Sequence, residues 1–268
     1  MKLAGSILCL LACACTSTPS RRGEPPAALE SYFPGDPGLP WQMVGSSVEG
    51  RPIYAAEFGY GSRTTLILAA IHGDEPLSAK VAVRLALELS RMRSVLQDNR
   101  VVVVPIVNPD GYVPGRRANA VGVDLNRNFP TRDWGGASLR EKDFPGLSPA
   151  SEPETRTVLA LIERCRPDKI LSIHTPLRVN NYDGPQSESL ALSMETHNRY
   201  PVSGYIGYPT PGSLGTWAGI ERDVATVTLE IPEGTFETRW NENKWALIAA
   251  VRHRPARGAS GKPANALR

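Results

Sequence analysis

Five runs of apolar and β-branched residues predict the strands of the fold. They lie at residues 53–58, 65–71, 101–107, 169–173 and 225–231. The second, third and fifth runs are almost continuously apolar or β-branched, which is typical of strands buried on both faces of a helix-covered sheet. Four other segments are predicted as helices, at residues 77–92, 152–164, 187–200 and 240–252.

The alternation of strands and helices predicts an α/β fold, a three-layer α/β/α sandwich around a mixed, mostly parallel central sheet. Ser151 precedes a proline and two acidic residues, so we expect its hydroxyl to cap the second helix. In such folds functional residues collect in loops after the carboxyl ends of strands. His72, Asn108, His174 and Glu230 all fall at such ends.

The composition fits one α/β domain with a single sizeable core. The chain has 268 residues, of which 41% are hydrophobic, and this length is ordinary for one domain. A net charge of +3, carried by scattered basic residues, argues against nucleic acid as a partner. Cys165 is the one cysteine beyond the N-terminal segment, so no disulfide framework is predicted.

The N-terminus resembles an export signal. Lys2 precedes an apolar run that is too short to remain as a transmembrane helix, and Leu-Leu-Ala-Cys at 10–13 resembles the lipobox of bacterial lipoproteins. We therefore predict a signal peptide at 1–12, lipidated Cys13, a tether at 13–40, a globular domain at 41–253 and a disordered tail at 254–268. The expected location is the cell envelope, on a membrane lipid anchor facing the periplasm, or outside the cell if secreted. A short buried helix or a plain signal peptide cleaved elsewhere is the alternative.

His72 and Glu75 directly follow the second strand-like run and predict part of a metal site. Three residues apart at a strand end, they can turn toward one point. Zinc prefers such ligands, and a catalytic zinc site needs three of them with a fourth position open. His174 ends the fourth run and would be the distant third ligand. A lone histidine at a strand end is more often structural. The interpretation of His174 as a ligand therefore depends on the presence of His72 and Glu75.

Glu230 ends the fifth run, where a carboxylate is costly unless it is paired or used. The functional interpretation is a general base whose pKa is raised by burial. The alternative is an ion pair with a buried arginine.

A long irregular segment follows the third run, with Asn-Pro-Asp-Gly-Tyr at 108–112 and Gly-Val-Asp-Leu-Asn-Arg-Asn-Phe-Pro at 122–130. Loops of this length in compact domains are usually functional or disordered. The arginines and an asparagine of this segment could form a bidentate clamp for a carboxylate and a hydrogen-bond donor to an oxyanion. For any one arginine alone, a salt bridge to Asp110 or Asp124 that staples the loop is the simpler explanation.

Together these segments resemble the zinc metallocarboxypeptidases over residues 51–245. The resemblance rests on HGDE at 72–75, NPDG at 108–111, R-x-N at 117–119, GVDLNRNFP at 122–130, SEPET at 151–155, SIH at 172–174 and TLE at 228–230. Within that family, HGDE, SEPET and GYPTPGSLGTW at 207–217 are similar to the murein peptide amidase A group. That group hydrolyses the γ-D-glutamyl–diaminopimelate bond of cell-wall peptides.

The resemblance implies a zinc carboxypeptidase-like catalytic domain with one zinc ion on His72, Glu75 and His174. It implies that Glu230 is the general base for water activated by zinc, and that Arg117 helps hold the oxyanion.

The resemblance also implies substrate-binding residues. Asn126 and Arg127 match the pair that grips the terminal carboxylate of the substrate. Tyr208 matches the tyrosine that covers the bound C-terminal residue, with Tyr205 as its competitor.

The expected substrates are murein peptides or other small peptides. Diaminopimelate has a carboxylate at one end and a zwitterionic centre at the other, and Asp183, in an expected loop at 180–184, could meet the second. One alternative is a metallocarboxypeptidase that releases ordinary C-terminal amino acids. Another, from a different class, is a catalytically inactive peptidoglycan-binding lipoprotein, which the retained ligands and Glu230 disfavour.

Overall fold

The computed structural model describes residues 38–136 and 142–254. The predicted signal peptide, the Cys13 lipidation site, most of the tether and nearly all of the predicted tail lie outside the described residues. Within those two ranges, no helix is both long and apolar enough to cross a membrane.

One mixed sheet of eight strands organises the described residues. The strands are β1 (Trp41–Ser46), β2 (Pro52–Phe58), β3 (Arg63–Ala69), β4 (Asn99–Val104), β5 (Lys169–His174), β6 (Val179–Asp183), β7 (Val202–Ser203) and β8 (Ala225–Glu230). Their order across the sheet is β1-β2-β4-β3-β5-β8-β6-β7. The four central strands are parallel, whereas β2 and β6 run antiparallel to their central neighbours.

Helices cover both faces of the sheet, which confirms the predicted α/β sandwich. They are α1 (Pro76–Arg91), α2 (Arg93–Leu96), α3 (Pro109–Tyr112), α4 (Pro153–Cys165), α5 (Glu188–Asn198) and α6 (Phe236–Arg252). Side chains of α1, α5 and α6 pack on Ile67 and Leu171 on one face, whereas α4 packs on Leu66 and Ile170 on the other. A π-helical turn, Gly215–Ile220, also lies on the α4 face.

The five predicted strands and four predicted helices are confirmed, with ends that shift by at most four residues. The predicted cap at Ser151 is wrong. The residue that caps α4 is Glu152, without a side-chain cap bond, and the Ser151 hydroxyl donates to Glu152 and accepts from Asn128 instead. The expected loop at 180–184 is also wrong, because most of it forms β6.

The order of the central strands creates the site. The chain runs from β3 to β4 on one side of β3 and then crosses to β5 on its other side, and ligands bind in the crevice at such a switch point. The register aligns His174 at the end of β5 with Glu230 at the end of β8. The predicted site residues at strand ends therefore meet at one edge of the sheet.

Lys169 provides a test of the fold. It is fully buried at the start of β5, and its amine donates to the carbonyl of His253 at 2.9 Å. Burial lowers its pKa to about 8. An unfolded lysine titrates near 10.4, so the unfolded chain binds more protons between these values and the free energy of unfolding rises with pH there.

We expect Lys169→Met to remove that rise, which amounts to about 3 kcal/mol at most. Urea unfolding of the wild type and the variant between about pH 7 and 10 measures it. Lys80→Met, which changes an exposed lysine of α1, should keep the rise. An unchanged pH dependence in Lys169→Met would contradict the assignment.

Candidate active site

His72, Glu75 and His174 converge at the carboxyl ends of β3 and β5. The Nδ1 atoms of the two histidines are 3.1 Å apart. Glu75 lies between them, with Oε1 2.7 Å from His72 Nδ1 and Oε2 3.0 Å from His174 Nδ1. All three side chains are buried, and among the described residues they form the group that could hold a metal ion.

The donor set fits zinc. Two imidazoles and one carboxylate are the ligands of several catalytic zinc sites, and tetrahedral bonds of about 2.0–2.1 Å place two nitrogens about 3.3 Å apart. The other ring nitrogen of each histidine already has a partner. His72 Nε2 lies 3.1 Å from Asp124 Oδ1, and His174 Nε2 lies 2.9 Å from Ser172 Oγ. These contacts orient both rings with Nδ1 toward Glu75.

Local packing explains the residues between the first two ligands. The chain turns after β3 through Ala70, whose φ is 44°, a value that few non-glycine residues adopt. A Cβ at Gly73 would lie 2.0 Å from the carbonyl carbon of Gly111, so only glycine fits there. Glu75 caps α1, and its carbonyl accepts from the Ser78 hydroxyl at 2.7 Å.

The charges of the cluster suit a bound cation. Burial opposes ionisation of Glu75, but the two histidines lower its pKa to about 2. Burial also opposes protonation of His72, yet the carboxylates of Glu75 and Asp124 raise its pKa to about 9. Burial also opposes ionisation of Asp124, but His72 and Arg117 lower its pKa. Both carboxylates are thus ionised at neutral pH, and a cation offsets their buried charge.

Asp124 connects the metal cluster to Arg117. Its Oδ2 accepts from Nε and Nη2 of Arg117 at 3.1 and 2.7 Å, and its Oδ1 accepts from the backbone of Asn126 at 2.9 Å. The salt bridge that was the simpler explanation for this arginine is therefore present. It holds the guanidinium beside the metal group, while Nη1 forms no hydrogen bond within the described residues.

Glu230 lies beside the cluster with 8% of its surface exposed. Burial raises the pKa of its carboxyl, and its Oε2 has no hydrogen-bond partner among the described residues. The alternative of a buried arginine partner finds no support, since no arginine of the described chain pairs with Glu230.

Asn126 and Arg127 lie in a 3-10 turn, Leu125–Arg127. Asn126 Oδ1 accepts from the backbone of Leu214 at 2.9 Å. Arg127 is 2% exposed, and its Nη2 lies 4.0 Å from Asp143 Oδ2. Asp143 also lies 4.0 Å from Arg117. Asp143 was not predicted, because it belongs to none of the motifs or periodic segments of the sequence.

Tyr208 and its competitor Tyr205 both lie between β7 and the π-helical turn. Tyr205 is 61% exposed and follows β7, a two-residue strand that pairs with Asn180 and Asn181 of β6. Tyr208 is partly buried and lies nearer to Gly212, whose carbonyl accepts from Phe129 at 2.9 Å. This hydrogen bond joins the segment that follows Tyr208 to the chain just after the 3-10 turn.

Asp183 lies at the end of β6 that points away from the metal group. It ends β6 opposite Thr226, whereas Val179 of the same strand is opposite Glu230. The separation of four residues corresponds to about 13 Å along the strand. Asn180, in the same expected loop, bonds to Asn198 at 3.0 Å on the other face and takes no part in the site.

Comparison with known proteins agrees with this arrangement. The zinc carboxypeptidase family model (Peptidase_M14) matches residues 40–205. Murein peptide amidase A of Escherichia coli (strain K12) is 34% identical over 242 residues, which cover 86% of this chain and 95% of that protein. Its counterpart in Vibrio campbellii is 34% identical over 224 residues, 79% of this chain and 87% of that protein.

Solved structures of the same fold include a murein-tripeptide amidase. The crystal structure of murein-tripeptide amidase from Escherichia coli O157 matches with a TM-score of 0.68 and 31% identity, over 88% of this chain and all of that chain. Bovine thrombin-activatable fibrinolysis inhibitor matches with a TM-score of 0.71 over 84% of this chain and 92% of that chain, but at 21% identity it shares the fold alone. The cofactor is zinc, as the family and the donor set both indicate.

We expect Asp124→Asn to lower zinc affinity about 10- to 100-fold, because the amide orients the His72 ring less firmly and does not strengthen its basicity. Competition with a chromogenic chelator measures this affinity. Asp110→Asn is the matched control, since Asp110 is equally buried but pairs with Arg51. Wild-type affinity in Asp124→Asn would show that the contact is dispensable.

Proposed function

The chain belongs to the zinc carboxypeptidase family of peptide hydrolases, and we propose that it hydrolyses the γ-D-glutamyl–meso-diaminopimelate bond of murein peptides. The observation that carries this proposal is its similarity to murein peptide amidase A of Escherichia coli over 95% of that protein. The similarity spans the metal cluster and the loop with Arg117, so it includes the residues that would do the chemistry.

We propose His72, Glu75 and His174 as the zinc ligands. When bound, zinc polarises the scissile carbonyl and lowers the pKa of a water molecule to about 7. The protein contributes the fixed orientation of both imidazoles through Asp124 and Ser172.

Glu230 acts as the general base. Its raised pKa and its unbonded Oε2 suit a group that takes and returns a proton near neutral pH. The carboxylate removes a proton from the attacking water as the new C–O bond forms. It then delivers that proton to the amide nitrogen as the C–N bond breaks.

Arginines and an amide position the substrate. Arg117 offers Nη1 to the developing oxyanion, because its Nε and Nη2 are held by Asp124. Asn126 and Arg127 hold the terminal carboxylate, and Asp143 keeps the two guanidinium groups near each other. Tyr208 covers the bound C-terminal residue.

A product analysis tests the substrate. We expect purified zinc-loaded protein to release diaminopimelate from L-alanyl-γ-D-glutamyl-diaminopimelate, as measured by mass spectrometry, and to stop when a zinc chelator is added. An ordinary α-linked peptide of equal length should be a much poorer substrate. Efficient cleavage of that peptide with an intact murein tripeptide would identify an ordinary metallocarboxypeptidase instead.

We expect Glu230→Gln to keep its zinc and to lose about 10²- to 10⁴-fold in turnover, because the amide cannot accept the proton. Metal analysis and hydrolysis of the murein tripeptide measure the two effects. Glu233→Gln changes an exposed acid three residues later and should behave as the wild type. Substantial turnover by Glu230→Gln would mean that another group is the base.

A further inference from the structure

The beginning of α4 contacts the segments that carry both arginines of the site. Glu152 precedes the first residue of α4 and belongs to the motif SEPET. Its Oε2 accepts from Asn119 Nδ2 at 2.7 Å, and Asn119 ends the motif R-x-N that begins with Arg117. The backbone N–H of Glu152 donates to Asn128 Oδ1 at 3.2 Å, and Asn128 directly follows Arg127. One buried residue at the start of a helix therefore holds both segments.

Asn119 closes the turn that brings Arg117 and Asp124 together. Its Oδ1 accepts from the backbone N–H groups of Val121 and Val123 at 3.3 and 3.0 Å, and its own N–H donates to the Val123 carbonyl at 3.0 Å. An asparagine amide that bonds to the backbone two residues further on is a common way to fix a turn. Asp124 follows this turn, and its carboxylate binds the Arg117 guanidinium seven residues back in the chain. The turn thus sets the geometry of that ion pair.

The backbone of Arg117 is held independently of this turn. Its carbonyl accepts from the Gly73 N–H and from Asn108 Nδ2, at 3.2 Å in both cases. These contacts fix where the side chain begins, beside the metal ligands, but not where Asp124 holds the guanidinium. Asn119 determines the second position, because the chain reaches Asp124 through the turn that Asn119 closes.

The carboxylate of Glu152 is a firm anchor because both of its oxygens accept hydrogen bonds. Its Oε1 accepts from the Ser151 hydroxyl at 2.7 Å, and that hydroxyl accepts from Asn128 Nδ2 at 3.0 Å. Hydrogen bonds to a carboxylate are stronger than those between neutral groups. Without the Glu152 side chain, the Asn119 amide would keep only Glu154 Oε2, at 3.4 Å, as an acceptor among its printed neighbours.

We propose that Asn119 and Glu152 are positioning residues for hydrolysis, which act through Arg117 and not on the substrate themselves. Glu152 anchors Asn119, Asn119 closes the turn, and the turn sets the guanidinium where it meets the developing oxyanion. An oxyanion donor is effective only at the position that the charged oxygen will occupy, so a shift of the turn lowers kcat more than it weakens substrate binding. The inference rests on the proposed role of Arg117 and holds for either kind of scissile bond.

A double-mutant cycle with Arg117 tests the proposal on zinc-saturated protein. Arg117→Ala should lower kcat about 10²- to 10³-fold, and Asn119→Ala about 10- to 100-fold with little change in KM. In the Arg117→Ala background we expect Asn119→Ala to lower kcat no further, because no guanidinium is left to position. The substrate is whichever tripeptide the wild type cleaves, γ-D-glutamyl-linked or α-linked, so an error in the proposed bond does not affect the cycle.

Asn243→Ala is the matched control for loss of a buried asparagine. Asn243 is as fully buried as Asn119, and its side chain bonds within the α5 and α6 layer to Tyr200, Arg239 and Asn198. The variant should lower the free energy of unfolding, measured in urea, and leave kcat unchanged.

Two variants of Glu152 identify the acceptor. A glutamine amide oxygen can still accept from Asn119, so Glu152→Gln should keep most of the turnover, whereas Glu152→Ala should lose as much as Asn119→Ala. If Asn119→Ala does not fold, Glu152→Ala takes its place in the cycle. An undiminished further loss in the Arg117→Ala background, or equal losses in the two Glu152 variants, would overturn the positioning role alone. Wild-type turnover in Arg117→Ala would overturn the proposed oxyanion donor and the positioning role together.

Discussion

The buried carboxylate of Asp124 is the interaction on which the active site depends. It binds a ring nitrogen of His72, two nitrogens of Arg117 and the backbone of Asn126. Burial by itself would raise its pKa, but these partners lower it. A group of this kind stabilises the fold above its unfolded pKa of about 3.9 and loses that contribution as the pH falls below it. The metal ligand His72, the arginine proposed to bind the oxyanion and the proposed carboxylate clamp are therefore all held by this one carboxylate.

The order and direction of the strands determine where the site residues meet. The ends of β3, β5 and β8 lie at one edge because the three strands are parallel neighbours. His72, His174 and Glu230 thus meet at this edge although 102 residues of chain separate the first from the second. The loop that carries Arg117 and Arg127 is held over this edge by bonds from Asn126 and Phe129 to the segment before the π-helical turn.

Sequence patterns predicted the strands that are buried on both faces, such as β3, β4 and β8. They also predicted site residues that lie close together in the chain, such as His72 and Glu75. They failed at positions where tertiary contacts determine the secondary structure or the partner of a side chain. The Ser151 hydroxyl has the local signature of a cap, but Asn128 binds it from another part of the chain. The polar sequence of β6 does not resemble a strand, and its pairing with β7 and β8 is what makes it one. Asp143 meets two arginines that the sequence places 16 and 26 residues away.

The two apolar clusters of the sandwich differ in how far they extend. The cluster with α1, α5 and α6 includes residues of β8, whereas the cluster with α4 includes none from β8 or β6. On that face the two strands carry two threonines, an asparagine and an aspartate in place of apolar side chains. Buried apolar surface would stabilise the fold by about 25 cal/mol per Å². Thr226 and Thr228 lie on the same face of β8 as Glu230 and beside Asp183 and Asn181 of β6, so the polar face of these two strands ends at the proposed general base.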